Sequence, residues 1–364
     1  MSDVLIIGTG LIGCSLGLAL SGASGWDVTL DDVDADQLAT AVSRGAGRPW
    51  DGTEVASVVV AAAAPGLCSA ILLEAQRLGV GVTYTHVASV QSRVQRDIEL
   101  SGGDLSRVVG GHPLAGSERS GAQAASAELF AGRPWVLCRS PYTDDDAVDA
   151  VRRVAEACGG VTVEMSPEEH DAAVARVSHL PQVVASALAA TLLTGRGAAP
   201  LAGPGILDTT RIAASDPALW VDVLTGNAAQ VAPVLRQLVG DLTDMLSALD
   251  SLGADRGSSG DSGAQDVVRG LLERGRAGRA LLPVKRGTRD EGFATVSVVV
   301  PDEPGRLAAL LQAAAAAGIN VEDVRVEHVP GRPRGVIALL VSAEEAEPLA
   351  GGLRRAGWRV DTVG

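Results

Sequence analysis

Apolar and polar positions fall into a regular alternation over the first 165 residues. Residues 4–7 form a short, wholly apolar run, the pattern of a strand buried on both faces, and lead through a glycine turn into an apolar helix over 11–20. The alternation continues with a helix at 36–44, a strand at 55–62, a helix at 67–78, a strand at 82–87 and a helix from Ser89 to about Leu100. A short strand at 108–110 follows, then a strand at 134–138 and a helix opened by Thr143 and three aspartates. A strand at 161–164 closes the series. Strands separated by helices predict an α/β fold with a Rossmann-type doubly wound sheet.

At Ser166 the pattern changes. Ser166-Pro167-Glu168-Glu169 is a helix start, with a cap, a proline in the first turn and an acid at the capping-box position. The chain then reads as helical to about Ser251, which predicts an all-helical middle domain. His170, Val174, Ser178 and Gln182 recur every fourth residue, which puts Ser178 and Gln182 on one face. Pro181 predicts a kink, and His179 points elsewhere unless that kink turns it. The helix expected over 227–252 carries an apolar stripe that suits either a core or a dimer face.

Residues 253–263 are rich in Gly, Ser and Asp and read as a flexible linker. A short helix (264–274) and a basic, Gly-rich loop (275–289) come next. Strands at 295–300, 319–327, 335–341 and 358–361, with helices at 305–317 and 344–355, predict a C-terminal ferredoxin-like βαββαβ domain. No nucleophile, metal cluster or phosphate loop occurs in it, so it reads as a sensor or an oligomerisation module. The expected division is 1–165, 166–252, a linker at 253–291, and 292–364.

Composition narrows the function. The 364 residues are 46% hydrophobic and carry a formal charge of −14. Nucleic acid and anionic membrane both select basic surfaces, so neither is an expected partner. An anionic small substrate is compatible with this charge where a local cation meets it. The four cysteines show no C-x-x-C pair and no metal spacing with histidine, which reads as reduced thiols and no metal site. No basic, apolar leader opens the sequence and no run of about 18 apolar residues occurs, so a cytoplasmic location is expected.

Two motifs carry chemistry. Gly8-Thr9-Gly10-Leu11-Ile12-Gly13 lies between a strand and a helix. Gly8 serves the tight turn, Gly10 the close approach of a pyrophosphate, and Gly13 the packing of helix on strand, while the helix N-terminus offers free N–H groups to phosphate. Asp32 lies close to the spacing expected of a ribose-binding carboxylate, with Asp31 the rival register. No Arg follows to meet a 2′-phosphate, so NAD is expected over NADP.

The second motif is GGHPLAGSERSG at 110–121. His112 is one of five histidines, and histidine titrates nearest neutrality, so it reads as a general acid or base, or else as a turn residue capping a carbonyl. Arg211, in DTTRIAASDPALW, reads either as a bidentate carboxylate ligand or as half of a surface salt bridge.

Taken together, GTGLIGCS, VASV, GGHPLAGSERSG, ELFAGRPWVL, HDAAVARVSHLPQ and DTTRIAASDPALW resemble, in order, the prephenate dehydrogenase family. PDEPGRLAALL and GINVEDVRVEH resemble an ACT domain. The resemblance implies NAD-dependent oxidative decarboxylation of prephenate to 4-hydroxyphenylpyruvate in tyrosine biosynthesis, by a homodimer. Arogenate or an amino-substituted prephenate is the alternative substrate, and a non-catalytic amino-acid-binding protein is the rival from another class.

The resemblance implies that His112 accepts the ring hydroxyl's hydrogen bond and that Ser89 and Ser178 lie near the reacting centre. It puts Arg211 on a substrate carboxylate, Glu118 at the mouth of the site and Gln182 beside the substrate side chain. His86, Gln91 and Gln182 depart from the Asp, Lys and His common in the family. The ACT-like tail implies a tyrosine effector bound at the loop of Asp302 and Gly305, facing Asn320; the plainer reading is that these residues only shape turns.

Overall fold

The computed structural model describes residues 2–116, 121–194, 197, 199–254, 262–282, 292–328 and 334–363. Contacts divide the chain into two compact units, 1–239 and 240–364.

The first unit is built on an eight-stranded sheet. Its strands are β1 (Ser2–Ile7), β2 (Trp26–Asp31), β3 (Arg48–Pro49), β4 (Ala56–Ala61), β5 (Gly81–His86), β6 (Val108–Pro113), β7 (Pro134–Cys138) and β8 (Val161–Met165), in the order β3-β2-β1-β4-β5-β6-β7-β8. All neighbours run parallel except β6 and β7, which are antiparallel. Side chains alternate between faces, so the apolar runs feed two cores. Val4, Ile6, Val58 and Val60 pack with Leu16 and Leu20 of α1 (Leu11–Gly22) and with Val148 and Val151 of α5. Leu5, Val59 and Tyr84 pack on the other side, with Leu72 of α3 and with Val94 and Ile98 of α4. Here α2 is Ala35–Ser43, α3 Pro65–Leu78, α4 Ser92–Leu100 and α5 Asp145–Ala157.

One boundary departs from expectation in a way that matters. The strand expected to end at Gly110 continues through His112 to Pro113, paired with β7 through Gly111–Leu137 and His112–Val136. His112 therefore stands on a strand and not in a loop beyond one. Both glycines are required by close approach. A Cβ at Gly110 would lie 2.2 Å from Gln91 Oε1, and one at Gly111 would lie 2.7 Å from the carbonyl oxygen of His86.

After β8 the unit is helical. The capping box forms as expected, with Ser166 accepting from Glu169 N–H and the Glu169 side chain accepting from Ser166 N–H. Helix α6 (Pro167–Val174) widens into a π-helical turn, Ala175–His179, before α7 (Leu180–Thr191). Helices α8 (Pro204–Thr210), α9 (Pro217–Gly226) and α10 (Ala228–Ala254) follow. Leu242, Leu246 and Leu249 of α10 are each at least half exposed, an apolar row three to four residues apart.

In the second unit, α11 (Ser262–Arg279) runs five residues beyond the short helix expected there. Strands β9 (Phe293–Pro301), β10 (Asp323–His328), β11 (Arg334–Ser342) and β12 (Arg359–Val363) form an antiparallel sheet ordered β10-β11-β9-β12. With α12 (Arg306–Ala316) and α13 (Ala343–Arg355) this is the expected βαββαβ pattern. Val296, Val298 and Val300 alternate into a core with Leu339, Leu310 and Leu349. Among the described residues no helix is long and apolar enough to cross a membrane.

Candidate active site

The glycine loop joins β1 to α1. Gly8 adopts φ +101°, and a Cβ at Gly13 would lie 1.9 Å from the carbonyl oxygen of Gly8, so side chains are excluded at both. At Gly10 a Cβ would meet nothing within 4 Å, and no side chain caps the N-terminus of α1, which begins at Leu11 and Ile12. That open, uncapped helix start fits a dinucleotide pyrophosphate. Asp32 is the acid that reaches this loop: its Oδ2 accepts from the Thr9 N–H at 2.5 Å and the Thr9 hydroxyl at 2.8 Å. Asp34 caps α2, accepting from the N–H groups of Asp36 and Gln37.

His112 stands on β6, three strands along from β1 in the sheet. Its Nδ1 lies 2.8 Å from Nε2 of His170, whose Nδ1 lies 2.8 Å from Oδ1 of Asp171. The two rings meet edge to face with centroids 5.0 Å apart. Asp171 Oδ1 also accepts from Gln91 N–H and Oδ2 from Ser92 N–H, each at 2.9 Å, so this carboxylate sits on the N-terminus of α4. Asn227 donates to the Asp171 carbonyl at 2.8 Å and stands 3.0 Å from Nδ1 of His179. His86, His170, Asp171, His179 and Asn227 are all buried, whereas His112 is half-buried.

Charge follows from this burial. Loss of solvation, with the neighbouring His170, His179 and His86 adding to it, pushes His112 down to about 3. Loss of solvation also pushes His86 and His179 down to about 4. Burial raises the Asp171 carboxyl, but hydrogen bonds from His170, Gln91 and Ser92 outweigh it and hold it below the usual carboxylate range. His86, His112 and His179 are therefore neutral imidazoles beside one fixed anion.

The other expected residues fall as follows. Ser89, between β5 and α4, and Ser178, in the π turn, are half-buried. Gln182 on α7 is buried, with Oε1 unpartnered and Nε2 3.4 Å from the Ser186 hydroxyl. Arg211 is exposed at the start of a 3-10 turn, Arg211–Ala214, that packs against α7, and it makes no ion pair among the described residues. Glu118 lies outside the described residues.

Gln91, which stands where Lys is common in the family, is a buried strut: its Nε2 donates to Ala88 O at 2.6 Å and to Gly111 O at 3.1 Å. His179 does not point away, because the π turn brings it into the buried network. In the second unit Gly305 caps α12 at φ +85°, three residues after Asp302, and Asn320 donates to Glu322. Among the described residues no group of three His, Cys, Asp or Glu could hold a metal ion.

Sequence reasoning missed His170, Asp171 and Asn227 as members of the site. The signal was the His-Asp dipeptide at a helix start, in a chain where four of five histidines fall between 86 and 179.

A glycine loop opening the first helix of a doubly wound sheet, a carboxylate at the end of the second strand, and a neutral imidazole further along the same sheet define a nicotinamide-dinucleotide-dependent dehydrogenase. Comparison with known proteins narrows the class. The family model described as prephenate dehydrogenase, nucleotide-binding domain, matches residues 17–164, and that described as prephenate dehydrogenase, dimerization domain, matches 166–256. The chain is 34% identical over 361 residues to a probable prephenate dehydrogenase of Streptomyces niveus, covering 98% of this chain and 99% of that protein. It is 27% identical over 354 residues to the prephenate dehydrogenase of Bacillus subtilis, covering 94% and 92%. Among solved structures, prephenate dehydrogenase from A. aeolicus in complex with hydroxyphenyl propionate and NAD+ superposes with a TM-score of 0.66 at 27% identity, over 78% of this chain and 99% of that one. The chain belongs to the prephenate dehydrogenase family.

Proposed function

We propose that this chain catalyses the NAD-dependent oxidative decarboxylation of prephenate to 4-hydroxyphenylpyruvate, in tyrosine biosynthesis. The observation that carries the reading is the half-buried, neutral His112, set on the same sheet as an open, uncapped glycine loop. NAD supplies the acceptor for the hydride that leaves the ring carbon bearing the hydroxyl, and loss of CO2 makes the ring aromatic. Gly8, Gly10, Leu11, Ile12 and Gly13 hold the pyrophosphate, and Asp32 takes the ribose. His112 accepts the hydroxyl proton. Ser89 and Ser178 orient the ring, Arg211 holds a carboxylate and Gln182 faces the side chain.

Purified protein given prephenate and NAD is expected to form NADH and release CO2. His112→Asn is expected to lower kcat by about 10²–10⁴. Absence of turnover with both prephenate and arogenate overturns the reading.

A second substrate reading rests on Gln182. Its buried, unpartnered Oε1 is an acceptor suited to the ammonium group of arogenate. The Synechocystis arogenate dehydrogenase structure is 25% identical and superposes with a TM-score of 0.61, over 76% of this chain and 98% of that one. The ratio of kcat/KM for the two substrates decides between them.

The proposed division is a dinucleotide domain (1–165), a helical substrate and dimerisation domain (166–252), a connecting segment (253–291) and a regulatory ACT domain (292–364). A homodimer is supported by the exposed apolar row of α10 and by the dimerization model matched at 166–256. Tyrosine is the proposed effector, bound by Asp302, Gly305 and Asn320. A cytoplasmic location completes the reading.

A further inference from the structure

The hydrogen-bonded line His112–His170–Asp171 contains one group with a fixed role. Asp171 sits on the N-terminus of α4, takes two backbone N–H groups and keeps its carboxyl below the usual range. An ionised carboxylate only accepts, so Nδ1 of His170 must donate to it. With its ring proton on Nδ1, His170 offers the lone pair of Nε2, and Nδ1 of His112 must donate there. This leaves Nε2 of His112 as the basic nitrogen, and among the described residues no group bonds to it. Free imidazole side chains prefer the opposite tautomer, with the proton on Nε2, so the line inverts an intrinsic preference.

We propose that His170, anchored by Asp171, is a positioning residue that fixes His112 with Nε2 free and takes up its Nδ1 proton as the substrate hydroxyl proton arrives. The proposal rests on the reading of His112 as the proton acceptor and extends it one residue inward. In the step, the substrate O–H bond breaks and an N–H bond forms at Nε2 of His112. The Nδ1–H bond of His112 breaks, and an N–H bond forms at Nε2 of His170. The net result is one proton moved inward, with the positive charge on His170 against the carboxylate of Asp171.

Both protons travel along a line already in place, and no ring has to rotate. The relay also answers a difficulty in the site. His112 alone is a feeble base, since burial and its neighbours push it to about 3. The groups facing it are His86 from β5, His170 and Asp171 from α6, and His179 from the π turn. Only Asp171 favours a positive charge, and His170 is the ring in contact with it.

Ring 15N spectra of histidine-labelled protein test the tautomer directly, with the His112 signals assigned by their loss in His112→Asn. The expected result is a protonated Nδ1 and a bare Nε2 on His112. His170→Leu is expected to return the proton to Nε2 and to lower kcat by about 10²-fold, with KM and NAD affinity within about twofold. His170→Gln places a carbonyl acceptor near the lost Nε2 but takes up no proton. It is expected to keep the tautomer, recover part of the rate, and change a proton inventory from curved (two protons) to linear.

A bare Nδ1 on His112 in the unaltered protein overturns the relay, as does normal turnover by His170→Leu. Normal turnover by His170→Leu, together with a His112→Asn variant that is inactive, removes the relay and leaves His112 as the base. Normal turnover by His112→Asn removes the base reading itself.

Discussion

One oxygen of Asp32 accepts both the N–H and the hydroxyl of Thr9, at 2.5 and 2.8 Å, and so ties the end of β2 to the glycine loop. Its other oxygen accepts from Asp34 N–H at 2.9 Å. The carboxylate thus shapes the loop, and the proposed ribose contact rests on it. Asp32→Ala is expected to weaken NAD binding by about tenfold or more, because charge-assisted hydrogen bonds contribute roughly 1.5–3 kcal/mol. Asp32→Asn keeps the bulk and removes the charge, so it should narrow the preference for NAD over NADP while costing less NAD affinity. Titration of both nucleotides checks this, and tighter NADP than NAD binding by the unaltered protein refutes the assignment.

Much of this arrangement is legible in the sequence. The period-2 alternation that sends Val4 and Ile6 to one core and Leu5 to the other is written in an apolar run, and the glycine loop is written in its spacing. What escapes depends on contacts between distant segments. Glycine and proline argue against a strand at 110–113, yet the strand persists because β7 pairs with it and because Gln91 and His86 crowd Gly110 and Gly111 too closely for a side chain. Pro181 announces a disturbance in the helix, but not that the extra residue of a π turn breaks the i+4 register and carries His179 inward. Asp171 looks like an ordinary helix acid until α4 is seen to begin on it.

The buried imidazoles make stability depend on pH. His86 and His179 titrate near 4 when folded and near 6.5 when unfolded. Between those values the unfolded chain binds more protons, so stability falls as the solution is acidified through this window and is level above it. At about pH 5 each of the two costs roughly 2 kcal/mol relative to neutrality, at 1.36 kcal/mol per pH unit. Urea unfolding of the first unit at several pH values measures the slope. An unfolding midpoint that is level between about pH 7 and pH 5 contradicts it.

Arg211 is exposed and without an ion-pair partner among the described residues, so its removal should leave folding nearly untouched, within about 0.5 kcal/mol. If it grips a substrate carboxylate through two N–H groups, Arg211→Ala raises KM about 10–100-fold, and Arg211→Lys restores only part of this, because an ammonium group cannot match the planar fork. Steady-state kinetics beside a melting curve separates the two effects. A variant with unchanged KM returns Arg211 to the surface.

The tail is expected to bind tyrosine and lower activity. Gly305, at φ +85°, is strained for any other residue, and a Cβ there would meet nothing within 4 Å, so backbone is open to a ligand at the start of α12. Asn320 donates to Glu322, which leaves its carbonyl oxygen for an ammonium group. Regulation requires a ligand that binds two conformations with different affinity, so a variant that removes a tyrosine contact should lose inhibition and keep basal rate. Asn320→Ala and a chain ending after Arg279 are both expected to turn over prephenate at the unaltered rate and to resist millimolar tyrosine. Gly305→Val is expected to give the same result through blocked backbone approach. Inhibition of the shortened chain equal to that of the full one would place the tyrosine site elsewhere, and indifference of the full chain to tyrosine would leave the βαββαβ unit as an oligomerisation module.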